Sequence, residues 1–437
     1  MSTVFLPFFV VLFFSLVASF VASRRRSDFF LANRSIRWPM LVGTFVGTHI
    51  GGGFLIGNTD AVAKMGLSGA VYSVGLALGM MFLGIGWGPR LRSLLIGTLP
   101  ELLGKKFSSV PLKKVGALLA ICSLSGILMS QAIGLRRFLS SVGCHEMLFF
   151  VSWGAVVLYT ALGGLLAVVW TDLLQASIMV VMLGVIFVMA LFPEWTTIAK
   201  EAMSSPIEWG RSPLSSIVFP VCYMFVTQDM AQRCFAAKTP KDSTKGCIGA
   251  AVIFLLLSIV PVAAGLLGRA WNLECEKGSI FMQVVDRMSS PWLFVVTAST
   301  VLLAIISTSS TILLALSSNV VQDLGLPKGG GKAVTFLLGI LALLGPYFGD
   351  DVIVWIVTSN ALSVGALFIP VLVAVWSKKT FLPASAAWGS FFLGLIATII
   401  SQTMMEGSIA VVVPFLFSAI GFALGWMFDE QKEPAIA

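Results

Sequence analysis

Charge is what this sequence has least of. Lys, Arg, Asp and Glu make up 11% of its 437 residues, against roughly 25% in an ordinary soluble domain, while 57% of the residues are hydrophobic and the mean hydropathy is +0.97. No stretch is polar enough to fold as a sizeable soluble domain, so function must lie within a bilayer. Histidine is nearly missing as well. Two histidines leave little for acid–base chemistry, and neither HExxH nor GxSxG occurs, which argues against an intramembrane enzyme. The six cysteines lack the CxxC or Cys/His spacing of a metal or redox site; Cys144 and Cys275 fall in expected outside loops where a pair is conceivable, but free thiols fit better. No charged ring or repeated filter marks a channel, and no ten-residue alternation marks a transmembrane barrel.

What is present is a succession of hydrophobic runs from Val4 to Trp426, each long enough to span at about 20 residues. They give an all-α polytopic membrane protein of about thirteen spans, centred near residues 13, 46, 78, 123, 156, 183, 220, 257, 303, 340, 363, 392 and 416. The first run has no basic residue before it and Arg24 to Arg26 after it, the reverse of a secretory signal, so it reads as a retained anchor. Basic residues gather in RRRSDFFLANRSIR, GPRLRSLLIGTLPELLGKKFSSVPLKK and RCFAAKTPKDSTK. Placed inside, these loops satisfy the positive-inside rule, with the N-terminus outside and the C-terminus inside. That distribution accounts for the net charge of +8 without a nucleic-acid partner. PKGGGK, Pro327 to Lys332, reads as a flexible inside linker.

Two spans carry weak points. GTHIGGGFLIGN holds Gly47, Gly51, Gly52, Gly53 and Gly57, and each glycine inside a helix costs roughly 1 kcal/mol relative to alanine. Close helix packing explains glycines along one stripe, but three in succession point all round the helix and fit an unwound turn better. Five spans later Pro220 stands in mid-helix, where a kink and a break are equally good readings. Paired interruptions in spans 2 to 6 and 7 to 11 point to an inverted-repeat secondary transporter. The expected boundaries are an extra helix at 1–23, repeats at 36–193 and 213–376, two further helices at 382–427 and a tail at 428–437. Broken helices free carbonyls at one end and N–H groups at the other, which suits an ion and a polar solute together.

Span nine contains Ser307, Thr308, Ser309, Ser310 and Thr311 in a row. A lone membrane Ser or Thr bonds its own i−4 carbonyl; five in succession exceed that need and supply the oxygens a hard monovalent cation asks for. Ser307 and Thr308 are the first choice of ligands. Asp172 has two readings of equal weight, an N-cap at the start of span six or an acidic ligand for a second cation beside Ser310 and Thr311.

These residues carry a resemblance. FFLANRSIRWPMLVGTFVGTHIGGG, YTALGGLLAVVWTDLLQA, QDMAQRCFAAK and AIISTSSTILLALSSNVVQD resemble, in order, the signatures of the sodium:solute symporter family. The resemblance implies a LeuT-type core in spans 2 to 11, alternating access, sodium as the coupling ion with no organic cofactor, a monomeric functional unit, and uptake of an amino acid, carboxylate, sugar acid or vitamin across the cytoplasmic membrane. It puts one sodium at the carbonyls of Gly47, Ile50 and Ala304 with the hydroxyls of Ser307 and Thr308. The second sodium of some members falls on Asp172, Ser307, Ser310 and Thr311. By region, the solute falls among Thr48, His49, Gly52, Gly53, Ser73, Gln131, Tyr223, Thr227 and Asn360. His49 stands where the proline-transporting branch has an acid, which counts against proline. An ionisable ring at that depth is a functional candidate by default, as a packing group, a solute ligand or a titrating group. Proton coupling, a solute sensor and a channel remain the alternatives at this level.

Overall fold

A computed structural model describes residues 6–24, 28–207, 213–274, 279–288, 290–348, 352–404 and 407–430. Cys275 lies outside them, while Cys144 is a free thiol. Regular structure among the described residues is helical, apart from one parallel bridge between Ile36 and Ala237. In that bridge the Ile36 N–H donates to the Ala236 carbonyl at 3.2 Å and the Lys238 N–H donates to the Ile36 carbonyl at 2.7 Å. It ties the start of one interrupted helix to the end of the other.

The glycine-rich span breaks as its composition predicts. The Trp38–His49 helix stops where Ile50 takes φ −81° and ψ 78°, and Gly53–Gly57 resumes as a wider coil that leads into Asn58–Met65. The second break is displaced from the expected one. Pro220 sits inside the Pro213–Val226 helix, and the chain leaves helical geometry at Thr227, φ −80° and ψ 132°, before the Gln228–Ala236 helix. Thr227 occupies the N-cap position without a side-chain capping bond, its hydroxyl donating instead to Asp229, and an acid in the first turn suits the positive end of a helix. Pro220 is instead a packing device: a Cβ at Gly75 would lie 2.6 Å from its ring Cγ.

The Pro291–Asp323 helix occupies the centre, packed against Trp38–His49, Val110–Ser141, Glu146–Ile186 and Gln228–Ala236. Its most apolar window is entirely buried in protein, so its hydroxyls face other helices and not lipid. Around it, Glu146–Ile186 covers expected spans five and six and turns out of helical geometry at Gly164, φ 61°. Here glycine is required twice over: φ is left-handed, and a Cβ would lie 2.6 Å from the Phe29 carbonyl oxygen, which accepts from the Leu165 N–H at 2.8 Å. Ala384–Met404 and Gly407–Glu430 pack closely against each other and against Val352–Trp376. Seven helices among the described residues are long and apolar enough to cross a membrane, with shorter apolar helices at Phe9–Val21, Ile217–Val226, Gly331–Tyr347 and Val412–Phe428. Breaks and kinks divide several of the expected runs into shorter pieces. Within PKGGGK, Lys328–Gly330 forms a helical turn and Gly331 starts the next helix.

Gly164→Ala is expected to cost roughly 1–3 kcal/mol, the range for one strained backbone residue, seen as a lower melting temperature of the purified protein. Gly154→Ala, where a Cβ would meet nothing within 4 Å, should melt with the wild type; equal behaviour of the two variants would refute the backbone argument.

Candidate functional site

A buried ion pair organises the middle of the bundle. Asp172 and Arg233 have no exposed side-chain surface, and Arg233 Nη2 lies 3.2 Å from Asp172 Oδ2. Isolated, either charge would be very costly at this depth; together they survive because nearly every hydrogen-bonding position is used. Arg233 donates from Nε to Thr44 Oγ1 at 2.8 Å, from Nη1 to the Asp229 carbonyl at 2.9 Å and from Nη2 to Thr311 Oγ1 at 2.5 Å. Asp172 accepts from Thr44 at 2.5 Å and Thr311 at 3.3 Å on Oδ2, and from Ser307 at 2.7 Å on Oδ1. Four helices meet at this one pair.

Asp172 is therefore not an N-cap. It lies well inside the helical arm that follows Gly164, and its carboxylate is directed at Arg233. Sequence reasoning missed Arg233 because it placed the residue in the inside loop RCFAAKTPKDSTK, whereas the whole of Gln228–Ala236 is buried. One signal was available: an arginine four residues after an acid, at the end of an apolar run, needs a partner within the membrane.

The hydroxyl run divides by function. Ser309 and Ser310 bond carbonyls of their own helix, Ile305 at 2.6 Å and Ser307 at 2.9 Å, the ordinary habit of membrane serines. Ser307 and Thr311 instead reach Asp172. Thr308 Oγ1 lies 2.9 Å from the Thr48 carbonyl at the break and 3.1 Å from the Ala304 carbonyl. Contact between the break and this helix is close enough that a Cβ at Gly47 would fall 2.7 Å from Ser307 Oγ, and one at Gly51 would collide with Thr308 Oγ1. Gly47, Ile50, Ala304, Ser307 and Thr308 thus come from two segments in direct contact. Each hydroxyl has one proton, so Ser307, donating to Asp172, and Thr308, donating to a carbonyl, keep oxygen lone pairs for a cation. Among the described residues no group of three His, Cys, Asp or Glu is assembled, so the donor set here is one of neutral oxygens. For the second expected sodium site, Asp172, Ser307 and Thr311 converge, but Arg233 already holds the carboxylate and Ser310 bonds elsewhere.

Beside the break lies a cavity of about 220 Å³, small against the roughly 300–1,000 Å³ of pockets for drug-sized ligands. Of the residues expected at the solute, Thr48, His49, Gly53, Ser73, Gln131, Tyr223 and Asn360 line it. Gly52 and Thr227 do not. Gly52 faces Ile305, whose Cγ1 would be 3.0 Å from a Cβ there, and Thr227 shares a 3.1 Å hydrogen bond with the Tyr223 hydroxyl from behind the wall. Asn58, Tyr72 and Asp229 also line the cavity and were not singled out from the sequence. His49 Nδ1 is buried without a hydrogen bond of ordinary geometry, its ring interacts with the Phe45 backbone one turn back and with the Asp229 carboxylate, and it meets Phe254 edge to face at 6.1 Å.

Comparison with known proteins bears on this arrangement. The family model described as the sodium:solute symporter family matches residues 29–327. The chain is 23% identical to a sodium/proline symporter of Salmonella typhimurium, over 95% of this chain and 91% of that protein. It is 25% identical to a sodium/pantothenate symporter of Escherichia coli, over 99% and 98%. In three dimensions it is similar to a Na+-coupled sialic acid symporter in a substrate-bound outward-open state, with a TM-score of 0.81 at 16% identity over 98% of each chain. It is also similar to Mhp1, a nucleobase-cation-symport-1 family transporter, with a TM-score of 0.63 at 16% identity over 95% and 98%. The shared fold is the LeuT type.

Removing one partner of a buried pair costs about 3–5 kcal/mol, because the other charge is stranded. Arg233→Gln should therefore lower the melting temperature sharply, and adding Asp172→Asn should recover more than half of the loss. A double variant that melts at the sum of the two single losses would show that the residues do not act as a pair.

Proposed function

Because the chain belongs to the sodium:solute symporter family, we propose an assignment of the coupling ion and the solute to the two sites above. The protein is an integral membrane symporter that couples movement of a small solute to sodium. Sodium takes the carbonyls of Gly47, Ile50 and Ala304 and the hydroxyls of Ser307 and Thr308, oxygen donors of the hard type that such a cation prefers. The solute takes the adjoining cavity.

The observation that carries this reading is the contact of Thr308 Oγ1 with the Thr48 carbonyl at 2.9 Å. Thr48 and His49 belong both to the break and to the cavity wall. An ion that clamps the break to the Pro291–Asp323 helix therefore fixes one wall of the solute site, and by linkage the solute favours the ion to the same degree. Alternating access follows if the clamped and released forms of the break open the cavity to opposite sides.

We assign one sodium per cycle. Arg233 neutralises Asp172 and takes the place of the second cation expected on Asp172, Ser307, Ser310 and Thr311. Each sodium entering down a potential of about 100 mV contributes roughly 2.3 kcal/mol, so one ion sustains on the order of 50-fold accumulation from the potential alone. The same reading places the protein in the cytoplasmic membrane as a monomeric unit, N-terminus outside and C-terminus inside, with repeats at 36–193 and 213–376.

Proteoliposomes with an imposed inward sodium gradient test the assignment. Uptake of candidate amino acids, carboxylates, sugar acids and vitamins should accumulate a solute only with sodium, with a Hill coefficient for sodium near one. Binding without accumulation would indicate a sensor, downhill flux without accumulation a channel, and accumulation driven equally by a proton gradient in sodium-free medium a proton-coupled carrier.

A further inference from the structure

The cavity contains one carboxylate that the coupling scheme does not use. Asp229 lines it with only 4% of its surface exposed, and no Lys or Arg side chain is among the described residues that line it. Asp229 makes no ion pair among the described residues: the nearby guanidinium of Arg233 binds the Asp229 backbone carbonyl and gives its charge to Asp172. One oxygen of Asp229, Oδ1, accepts from the Thr227 hydroxyl, which fixes the carboxylate at the start of the Gln228–Ala236 half-helix.

That placement matters for the solute. The N-terminus of a half-helix in this kind of fold is the natural seat for a solute anion. In this chain the protein's own carboxylate already sits in the first turn there. An anionic group of the solute would meet like charge at that end of the cavity, whereas a cationic one would meet an acid whose ionisable neighbour in the wall is the His49 ring and not a Lys or Arg.

The remaining walls point the same way. Gln131 Oε1 and Asn360 Oδ1 are buried acceptors without a hydrogen-bond partner, on side chains exposed by 4% and 2%, while Asn58, exposed by 6%, leaves both Oδ1 and Nδ2 unpartnered; all three residues line the cavity. Buried acceptors left unpaired are costly and are normally satisfied. A solute with N–H donors would satisfy Gln131 and Asn360, and one presenting only carboxylate or ether oxygens would not; Asn58 can serve either kind.

Resting on the reading of this cavity as the solute site, we propose that Asp229 is the specificity-determining residue for a small solute that carries a protonated amine, with the three N–H groups of the ammonium directed at the Asp229 carboxylate and the oxygens of Gln131 and Asn360. The amide side chains set the shape of the site and Asp229 sets its charge preference. Solutes of equal size that lack the amine are rejected because they leave the carboxylate and the two amide oxygens unpaired.

Thermal shifts of the purified full-length protein test this with matched pairs: 4-aminobutyrate against butyrate, alanine against lactate, and ethanolamine against ethylene glycol, each in sodium chloride and in potassium chloride. Stabilisation is expected from at least one amine and not from its amine-free partner. Asp229→Asn should raise the half-saturating concentration of that amine at least tenfold, about the discrimination expected when a buried polar group loses its partner. Asp229→Glu should restore much of the affinity, and the shift produced by sodium alone should be the same in all three proteins. Stabilisation by none of the amines, comparable stabilisation by the amine-free partner, or an unchanged half-saturation in Asp229→Asn overturns the proposal. An amine that stabilises equally in potassium and sodium, and loses affinity in Asp229→Asn, upholds the amine assignment and counts instead against sodium coupling at this site.

Discussion

A guanidinium and a carboxylate sealed inside a membrane protein constrain everything near them. Asp172 and Arg233 are each fully buried, and in a low-dielectric interior each is tolerable only while the other stays within hydrogen-bonding distance. Their partners are Thr44 on the first interrupted helix, and Ser307 and Thr311 on the central one. The pair consequently fixes the relative position of both interrupted helices and the hydroxyl-bearing helix. A surface ion pair would not do this, because water can replace either partner at little cost.

Given that anchor, the breaks acquire their use. The first break places the Thr48 carbonyl against Thr308 and the second places Asp229 at the head of a new half-helix. Backbone groups that a continuous helix would satisfy internally are thereby opened toward a cavity, which is the circumstance in which irregular backbone is tolerated at membrane depth. In the proposed assignment ion and solute share a wall through Thr48 and His49, so coupling would need no distant relay. His49 belongs to that wall, its Nδ1 buried without a hydrogen bond and its ring edge to face with Phe254.

Much of this was legible in the chain. Three successive glycines forecast the first break and five hydroxyls forecast the helix beside it, because both features exceed what packing alone requires. Other features depended on tertiary geometry. Pro220 looked like the second break, yet its ring fills the space over Gly75 and the helix continues past it to Val226. Asp172 read equally as a cap or as a cation ligand because its arm begins only a few residues earlier, and nothing local says that an arginine 61 positions further on will face it. Arg233 was read as part of a charged loop, and Asp229 was not singled out at the end of its span, because hydropathy windows do not register a short buried half-helix. The hydroxyls of Ser309 and Ser310 could not be told from those of Ser307 and Thr308 by composition; only the neighbouring helices separate them.

The central claim is that sodium is held where the broken helix meets Thr308. Equilibrium binding of radioactive sodium to the purified protein tests it directly. Wild type should saturate at one ion per chain, Thr308→Ala should raise the half-saturating concentration about tenfold or more, as expected for loss of one ligand worth roughly 1.4 kcal/mol, and Ser309→Ala, which loses only a bond to the Ile305 carbonyl of its own helix, should bind like wild type. Equal effects of the two substitutions, or none from Thr308→Ala, would contradict the account.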